Sequence, residues 1–235
     1  MSPYTEISPG RERWSAHQRI PRHVHDRAYF ALVLAGGYEE CGSRGRFHAG
    51  PGDVLLHSAF DAHLDRFAAR GAEILNLPTD GPVPGYGLGR VPDPDAVARL
   101  AESDTAAACA CLQEQLRAAS WPPEDWPDAL ARDLLADPAY GLGRWAREHG
   151  LAPATVSRGF DKIFGMSPAR FRAEARARRA YALIVWSEAP LASIATAVGF
   201  ADQAHMCRAT RMLTGASPQA WRRSNPFKTV AGAGG

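Results

Sequence analysis

A duplication near the C-terminal end constrains this chain more than any other feature. The stretch LGRWAREHGLAPATVSRGFDKIFGMSP (142–168) realigns on LASIATAVGFADQAHMCRATRMLTGASP (191–218). Leu142 matches Leu191, Ala146 matches Ala195 and Gly150 matches Gly199, all at an offset of 49 residues. One extra residue enters after the glycine. Arg158 then matches Arg208, and Gly165-x-Ser167-Pro168 matches Gly215-x-Ser217-Pro218, at an offset of 50. Two copies of one supersecondary unit account for this better than chance.

The unit reads as helix, tight turn, helix. Leu191, Ile194, Ala195 and Val198 recur at helical spacing, and then Gly199 interrupts. An interior glycine costs a helix about 1 kcal/mol relative to alanine, so one long helix is a poor reading. Gly150 and Gly199 stand where the chain leaves the first helix, with φ expected above zero. Ala146 and Ala195 are small enough for the two helices to approach closely. This is a helix-turn-helix pattern, in which a second helix with a polar, basic outer face enters the major groove of DNA.

Between the copies runs SPARFRAEARARRAYALIVWSEAP. Ser167 is suited to an N-cap and Pro168 to the first helical position. Alanine and arginine favour a helix to about Trp186, with Pro190 beyond its end. Some 19 residues at ~1.5 Å each give roughly 28 Å. Successive major grooves on one face of a duplex lie about 34 Å apart. A stiff helix of this length holds two reading heads in neighbouring grooves.

Charge agrees with that division. From Pro138 onward there are 14 Lys+Arg and 5 Asp+Glu, a net of +9; the rest of the chain holds 13 and 20, a net of −7. A basic C-terminal part on an acidic N-terminal part implies that only the former meets a polyanion. A solvated basic surface would show the same balance.

Residues 20 to 77 read as β structure: the apolar runs AYFALVL, DVLLH and AEILNL are separated by AGG, GSRG and AGPGD. Short strands this close together fit a sandwich or small barrel. PTDGPVPGYGLGRVPDP (78–94) reads as a connecting loop. From Asp95 the pattern turns helical. DAVARLAES and TAAACACLQEQLRAA come first, the latter with Leu112 and Leu116 at i, i+4; a helix begun at Asp125 or Pro127 then ends by Pro138. The leucine stripe serves either a dimer contact or packing on the chain's own β part. The chain of 235 residues is 46% apolar, which fits a globular protein; no run reaches the ~20 apolar residues of a membrane span. The N-terminus lacks the apolar core of a secretory signal, so a cytoplasmic location with reduced thiols is expected for Cys41, Cys109, Cys111 and Cys207. Cys109-x-Cys111 has the look of a metal or redox pair, but two small residues in an alanine-rich helix are the simpler reading.

Through LGRWAREHGLAPATVSRGFDKIFGMSP, the linker FRAEARARRA and IATAVGFADQAHMCRATRMLTGASPQAWRR, residues of about 138 to 224 resemble the DNA-binding domain of the AraC/XylS family of bacterial transcription regulators. Gly159, Asp161 and Thr210 depart from the family's usual residues. The resemblance implies base reading by Ala154, Ser157 and Arg158 in the first recognition helix, and by Gln203, His205 and Arg208 in the second. Arginine pairs bidentately with guanine and glutamine with adenine; a phosphate contact or an ion pair is the competing role for Arg158 and Arg208. Arg172, Arg176 and Arg179 on the linker helix are assigned to phosphates or to bracing the two halves.

The β part is similar to a cupin barrel, the usual sensor domain of that family: His23-x-His25 comes early, then Pro51-Gly52-Asp53, then histidines. In one strand His23 and His25 face the same side, a metal-ligand pattern. A divalent metal such as zinc is expected at His23, His25 and His63, with His57 or Asp61 as a further ligand. The competing reading is a pocket for an organic effector, lined by Trp14, Tyr29, Tyr38 and Phe60. Catalytic cupins add a glutamate in the first motif, where this chain has Tyr29 or its neighbours.

The expected fold is therefore α+β in two domains: a cupin-like β-barrel (1–90), a helical connector (91–137), a C-terminal all-α domain with two helix-turn-helix units joined by a long linker helix (138–225), and a flexible tail (226–235). The expected function is sequence-specific regulation of transcription on double-stranded DNA, without enzymatic activity. A small-molecule or metal effector, RNA polymerase for an activator, and a homodimer are the expected partners. A metal-dependent cupin enzyme fused to a DNA-binding module is the alternative. A DNA alkyl-transfer protein is a further rival and would need an activated Cys41 or Cys207.

Overall fold

A computed structural model describes residues 4–80, 83–85, 87–121, 125–137 and 140–223. Pro138 and the segment 226–235, both named above as boundaries, lie outside the described residues. The N-terminal part is rich in sheet and the C-terminal part is helical. Strands β1 (Gly10–Trp14), β2 (Arg19–Val24), β3 (Ala28–Gly42), β4 (Gly45–Ala49), β5 (Asp53–His57), β6 (Ala62–Thr79), β7 (Leu88–Arg90) and β8 (Arg117–Ala118) form one sheet.

Its spine is the long antiparallel pair β3 and β6, broken by register shifts between Val33 and Ala35 and between Gly36 and Tyr38. Beyond the break β6 pairs with β2 and β3 with β4; before it they pair with β1 and β5. The bend needs glycine. Gly36 and Gly71 have φ of +69° and +66°, and a Cβ on Gly36 would sit 2.1 Å from the Gly71 carbonyl oxygen. Bulges of this kind fold one half of a sheet over the other.

Period-2 alternation along β3 sorts side chains into two cores. Tyr29, Ala31 and Val33 face inward with Tyr38, Leu55, Phe67 and Ile74. Phe30 and Leu32 face the other way, onto helices α1 (Pro94–Ala101) and α2 (Thr105–Gln115). Leu112 and Leu116 belong to that second core, so the leucine stripe is covered by the chain's own sheet. Cys109 is buried in the same core, which favours the packing reading of the cysteine pair.

Three local expectations differ from the structure. The β part begins at Gly10, ahead of residue 20. Part of the 78–94 loop is strand β7. Helix α2 does not continue through LRAA: it stops at Gln115, Leu116 turns extended (ψ 127°), and Arg117–Ala118 pair with β7. Burial of Leu116 and the ladder bonds of β8 outweigh the helix propensity of Leu-Arg-Ala-Ala.

Helix α3 (Trp126–Ala136) starts at Asp125 with Pro127 in its first turn, as expected. It leaves the sheet core and joins the C-terminal helices: Leu130 and Leu134 pack with Trp145, Phe160 and Phe171. The fully buried Trp145 donates its indole N–H to Asp133 of α3 at 2.8 Å. The C-terminal part contains α4 (Leu142–Glu148), α5 (Pro153–Phe164), α6 (Pro168–Trp186), α7 (Leu191–Ala197), α8 (Gln203–Thr214) and α9 (Pro218–Arg223). Helix α6 serves two cores at once. Phe171 enters the α4–α5 cluster, while Ala180 and Ile184 enter the cluster with Ile194, Ala195, Val198 and Met206.

Candidate functional site

The two glycine turns have the conformation the sequence requires. Gly150 and Gly199 take φ of +65° and +78°, and Ala146 and Ala195 are 1% and 2% exposed at the close approach of each helix pair. Gly165 and Gly215 end α5 and α8 as left-handed caps. Ser167 accepts from the Arg170 amide and Pro168 starts α6, which then runs 19 residues.

Ala154, Ser157 and Arg158 lie on the exposed face of α5, and Gln203, His205 and Arg208 on that of α8. Val156, Phe160 and Phe164, and in α8 Met206 and Thr210, hold the opposite faces in the cores. Asp202 caps α8 through the His205 amide at 2.6 Å, and the His205 ring meets Phe200 edge-on. The three linker arginines differ. Arg172 donates to the Tyr140 carbonyl, and Arg176 donates to the Gly199 carbonyl while lying over the Phe200 ring. Those two brace the helix pairs. Arg179 is exposed and borders a cleft of about 1000 Å³ between the sheet and α6.

At Gly159, Trp126 occupies the place a side chain would take. A Cβ there would fall 2.3 Å from the indole Cζ2.

In the sheet, a cavity of about 310 Å³ is built on cross-strand pairs. His23 stands opposite His63, Tyr29 opposite His57 and Glu40 opposite Asp65. Two groups of donors converge within 4.8 Å and share His63: His23, His25 and His63; and Glu40, His57 and His63. The Nδ1 atoms of His23 and His25 are 3.0 and 2.7 Å from the carbonyls of Pro21 and Thr5. Nδ1–H donation there leaves each Nε2 with a free lone pair, the arrangement of a metal-ligating histidine.

Burial, with smaller effects from the neighbouring imidazoles, holds His57 and His63 well below the ordinary 6.5; burial takes His25 down to about 4. Burial and the facing Asp65 push Glu40 well above the carboxylate range, and burial raises Asp65 to about 8. Two carboxyls directly opposite on neighbouring strands cannot both ionise unless a cation joins them. His57 Nε2, His63 Nδ1 and Asp65 Oδ1 are buried without a hydrogen-bond partner. Neutral imidazoles, a carboxyl pair and orphaned polar atoms form a donor set compatible with a divalent cation.

Sequence reasoning missed Glu40 and Asp65. The signal was available in YEECG and HLDRF, where strand alternation puts an acidic residue on an otherwise apolar inner face. Asp61 and Phe60 lie elsewhere than expected. Asp61 accepts from Arg44 (2.8 Å) and the Ser58 amide (2.9 Å) and faces Arg178, so it is committed to the contact with α6. Phe60, at φ +65°, packs against Tyr181 and Trp221 rather than in the cavity. Trp14, Tyr29 and Tyr38 do line it.

Residues 145–224 match the family model described as "Helix-turn-helix domain". Two curated relatives, the arabinose operon regulatory proteins of Salmonella typhimurium and Escherichia coli, are each 32% identical over 90 residues, covering 38% of this chain. The C-terminal domain is of the AraC/XylS type. The chain spans about a third of the length of these curated relatives. The solved DNA-binding domain of AdpA in complex with a target DNA is similar at 20% identity, with 46% of this chain and 100% of that one covered at a TM-score of 0.42. The AraC/XylS-type domain includes both glycine turns and all six exposed positions named above. Among the described residues no helix is long and apolar enough to cross a membrane.

Proposed function

We propose that the chain regulates transcription by binding double-stranded DNA in two successive major grooves, through two helix-turn-helix units whose reading helices are α5 and α8. The observation that carries this reading is the duplicated pair of exposed helix faces, Ala154, Ser157 and Arg158 on one and Gln203, His205 and Arg208 on the other, set on the single helix α6. Arg158 and Arg208 suit guanine, Gln203 suits adenine, and Arg179 suits phosphate. Domain limits of 1–90, 91–137 and 138–225 go with this reading, amended so that α1 and α2 side with the sheet and α3 with the DNA-binding helices.

The sheet is read as a cupin-like sensor for a divalent cation. His63 would be the shared ligand, with His23 and His25 or with His57 and Glu40. A bound cation supplies charge that lets both carboxyls ionise and keeps the imidazoles neutral. Buried Tyr29, 3.4 Å from His63, orients that ring. Glu40 also supplies the carboxylate that an enzymatic reading lacked, and a turnover screen of the metal-loaded chain tests that alternative. For the alkyl-transfer rival, Cys41 is a poor nucleophile, its thiol fully buried and raised by burial, whereas Cys207 is half-buried and exposure of the chain to a methylated duplex tests it. Selection of bound fragments from genomic DNA, with and without divalent metals, tests the reading. Recovery of one shared motif supports it, and recovery of random fragments refutes it.

A further inference from the structure

Strand β6 has two faces with two tasks. His63 and Asp65 point into the cavity. Leu64 and Arg66, between and beyond them, point to α5. Leu64 and its cross-strand neighbour Cys41 share a core with Phe160 and Phe164. A Cβ on Gly165, the cap of α5, would already lie 3.0 Å from Leu64 Cδ2.

Arg66 completes the contact. Its Nη2 donates to the carbonyls of Lys162 and Ile163 at 3.2 and 3.1 Å. Both belong to the last turn of α5, where a helix leaves carbonyls without partners and gathers negative charge. Glu39, opposite Arg66 on β3, binds Arg66 Nη1 and fixes the guanidinium from the other side. So one short segment, His63 to Arg66, lines the ionisable cavity and ends on the first reading helix. Residues facing the two alternate along this segment, and its three residue steps cover roughly 10 Å.

We propose that Arg66 is a positioning residue that makes the orientation of α5 depend on what occupies the cavity. This rests on the DNA-binding and cation readings above. A cation held at His63 changes the set of β6, and Arg66 and Leu64 carry that change to the C-terminal turn of α5. Ala154, Ser157 and Arg158, on the same helix, then move relative to α8. Two discrete settings of one packed strand suffice for coupling of this kind.

The test uses the full chain, zinc alone as the probe, and a duplex carrying the selected motif. Zinc affinity is measured by competition with a chromophoric chelator, and DNA affinity with and without zinc. In the wild type, zinc is expected to change DNA affinity by about tenfold, within the usual range of coupling. Arg66→Ala should keep zinc affinity and lose most of that change, while Arg66→Lys, which still offers a cation to the helix end, should keep part of it. Retention of the full zinc response in Arg66→Ala overturns the proposal. So does a wild type that binds both zinc and the duplex with no coupling between them. A chain that takes up no zinc overturns the cation reading, and the proposal with it. Should Arg66→Ala fail to fold, hydrogen exchange on the wild type decides: amides of Lys162 to Gly165 should change protection when zinc is added, and unchanged exchange there refutes the link.

Discussion

Glu40 and Asp65 stand directly opposite one another on β3 and β6, both buried and both facing one cavity. A sheet of apolar purpose would not hold such a pair, since like charges in register destabilise it. Burial raises Asp65 from the ordinary 3.8 to about 8, so the folded chain keeps a proton there that the unfolded chain has lost. Folded-state excess of bound protons means stability falls as pH rises through that window. Buried His25, lowered from 6.5 to about 4, acts in the opposite sense, but only below pH 6.5. In chelator, thermal unfolding between pH 6.5 and 8.5 should therefore drop toward the alkaline end, by about 1.4 kcal/mol per pH unit for each of the two carboxyls that keeps its proton in the folded chain. Asp65→Asn should lessen that fall, leaving the part due to buried Glu40, and zinc should abolish it. A level wild-type profile contradicts the placement of the pair.

The shared ligand separates the two donor groups. His63→Ala removes a member of both and should abolish uptake of zinc, read by metal content after dialysis. His23→Ala with His25→Ala removes only the first group. Residual one-to-one uptake in that double variant would assign the ion to Glu40, His57 and His63.

Trp126 and Gly159 make a sharper packing test. Gly159→Ala puts a methyl 2.3 Å from the indole and should cost about 1–3 kcal/mol by denaturant unfolding. With Trp126→Ala already in place the same change should reverse sign and stabilise by up to about 1 kcal/mol, because alanine is the better helix former. An unchanged cost in both backgrounds would mean that the indole does not fill this space.

Arg208 and Arg176 should behave differently. Arg208→Ala, on the exposed face of α8, should relax preference at one base pair by about 1–3 kcal/mol in a binding-site selection. Uniform weakening on all sequences would reassign Arg208 to phosphate. Arg176→Ala removes the bond to the Gly199 carbonyl and should lower stability while leaving the preferred sequence unchanged.

Legibility from sequence followed the range of the forces involved. The glycine turns, the Ser167 cap and the ends of α6 are set by neighbouring residues, and they stand where expected. The end of α2 was missed because Leu116 answers to a sheet core rather than to helix propensity. Strand β1 was missed since its pairing with β6 joins residues about sixty positions apart. The histidine cluster was visible as a pattern. Its carboxyl partners depend on the β3–β6 register, which two bulges set. Asp61 was misassigned because proximity to His63 in sequence says nothing about Arg44 and Arg178, which hold it.

Two reading heads on one rigid helix would leave a definite imprint on the duplex. Hydroxyl-radical and methylation-interference footprinting of the full chain on its selected motif tests it most directly. Two protected major-groove patches, about 10–10.5 base pairs apart on one face of the duplex, are predicted. A single patch, or protection that ignores sequence, would contradict it.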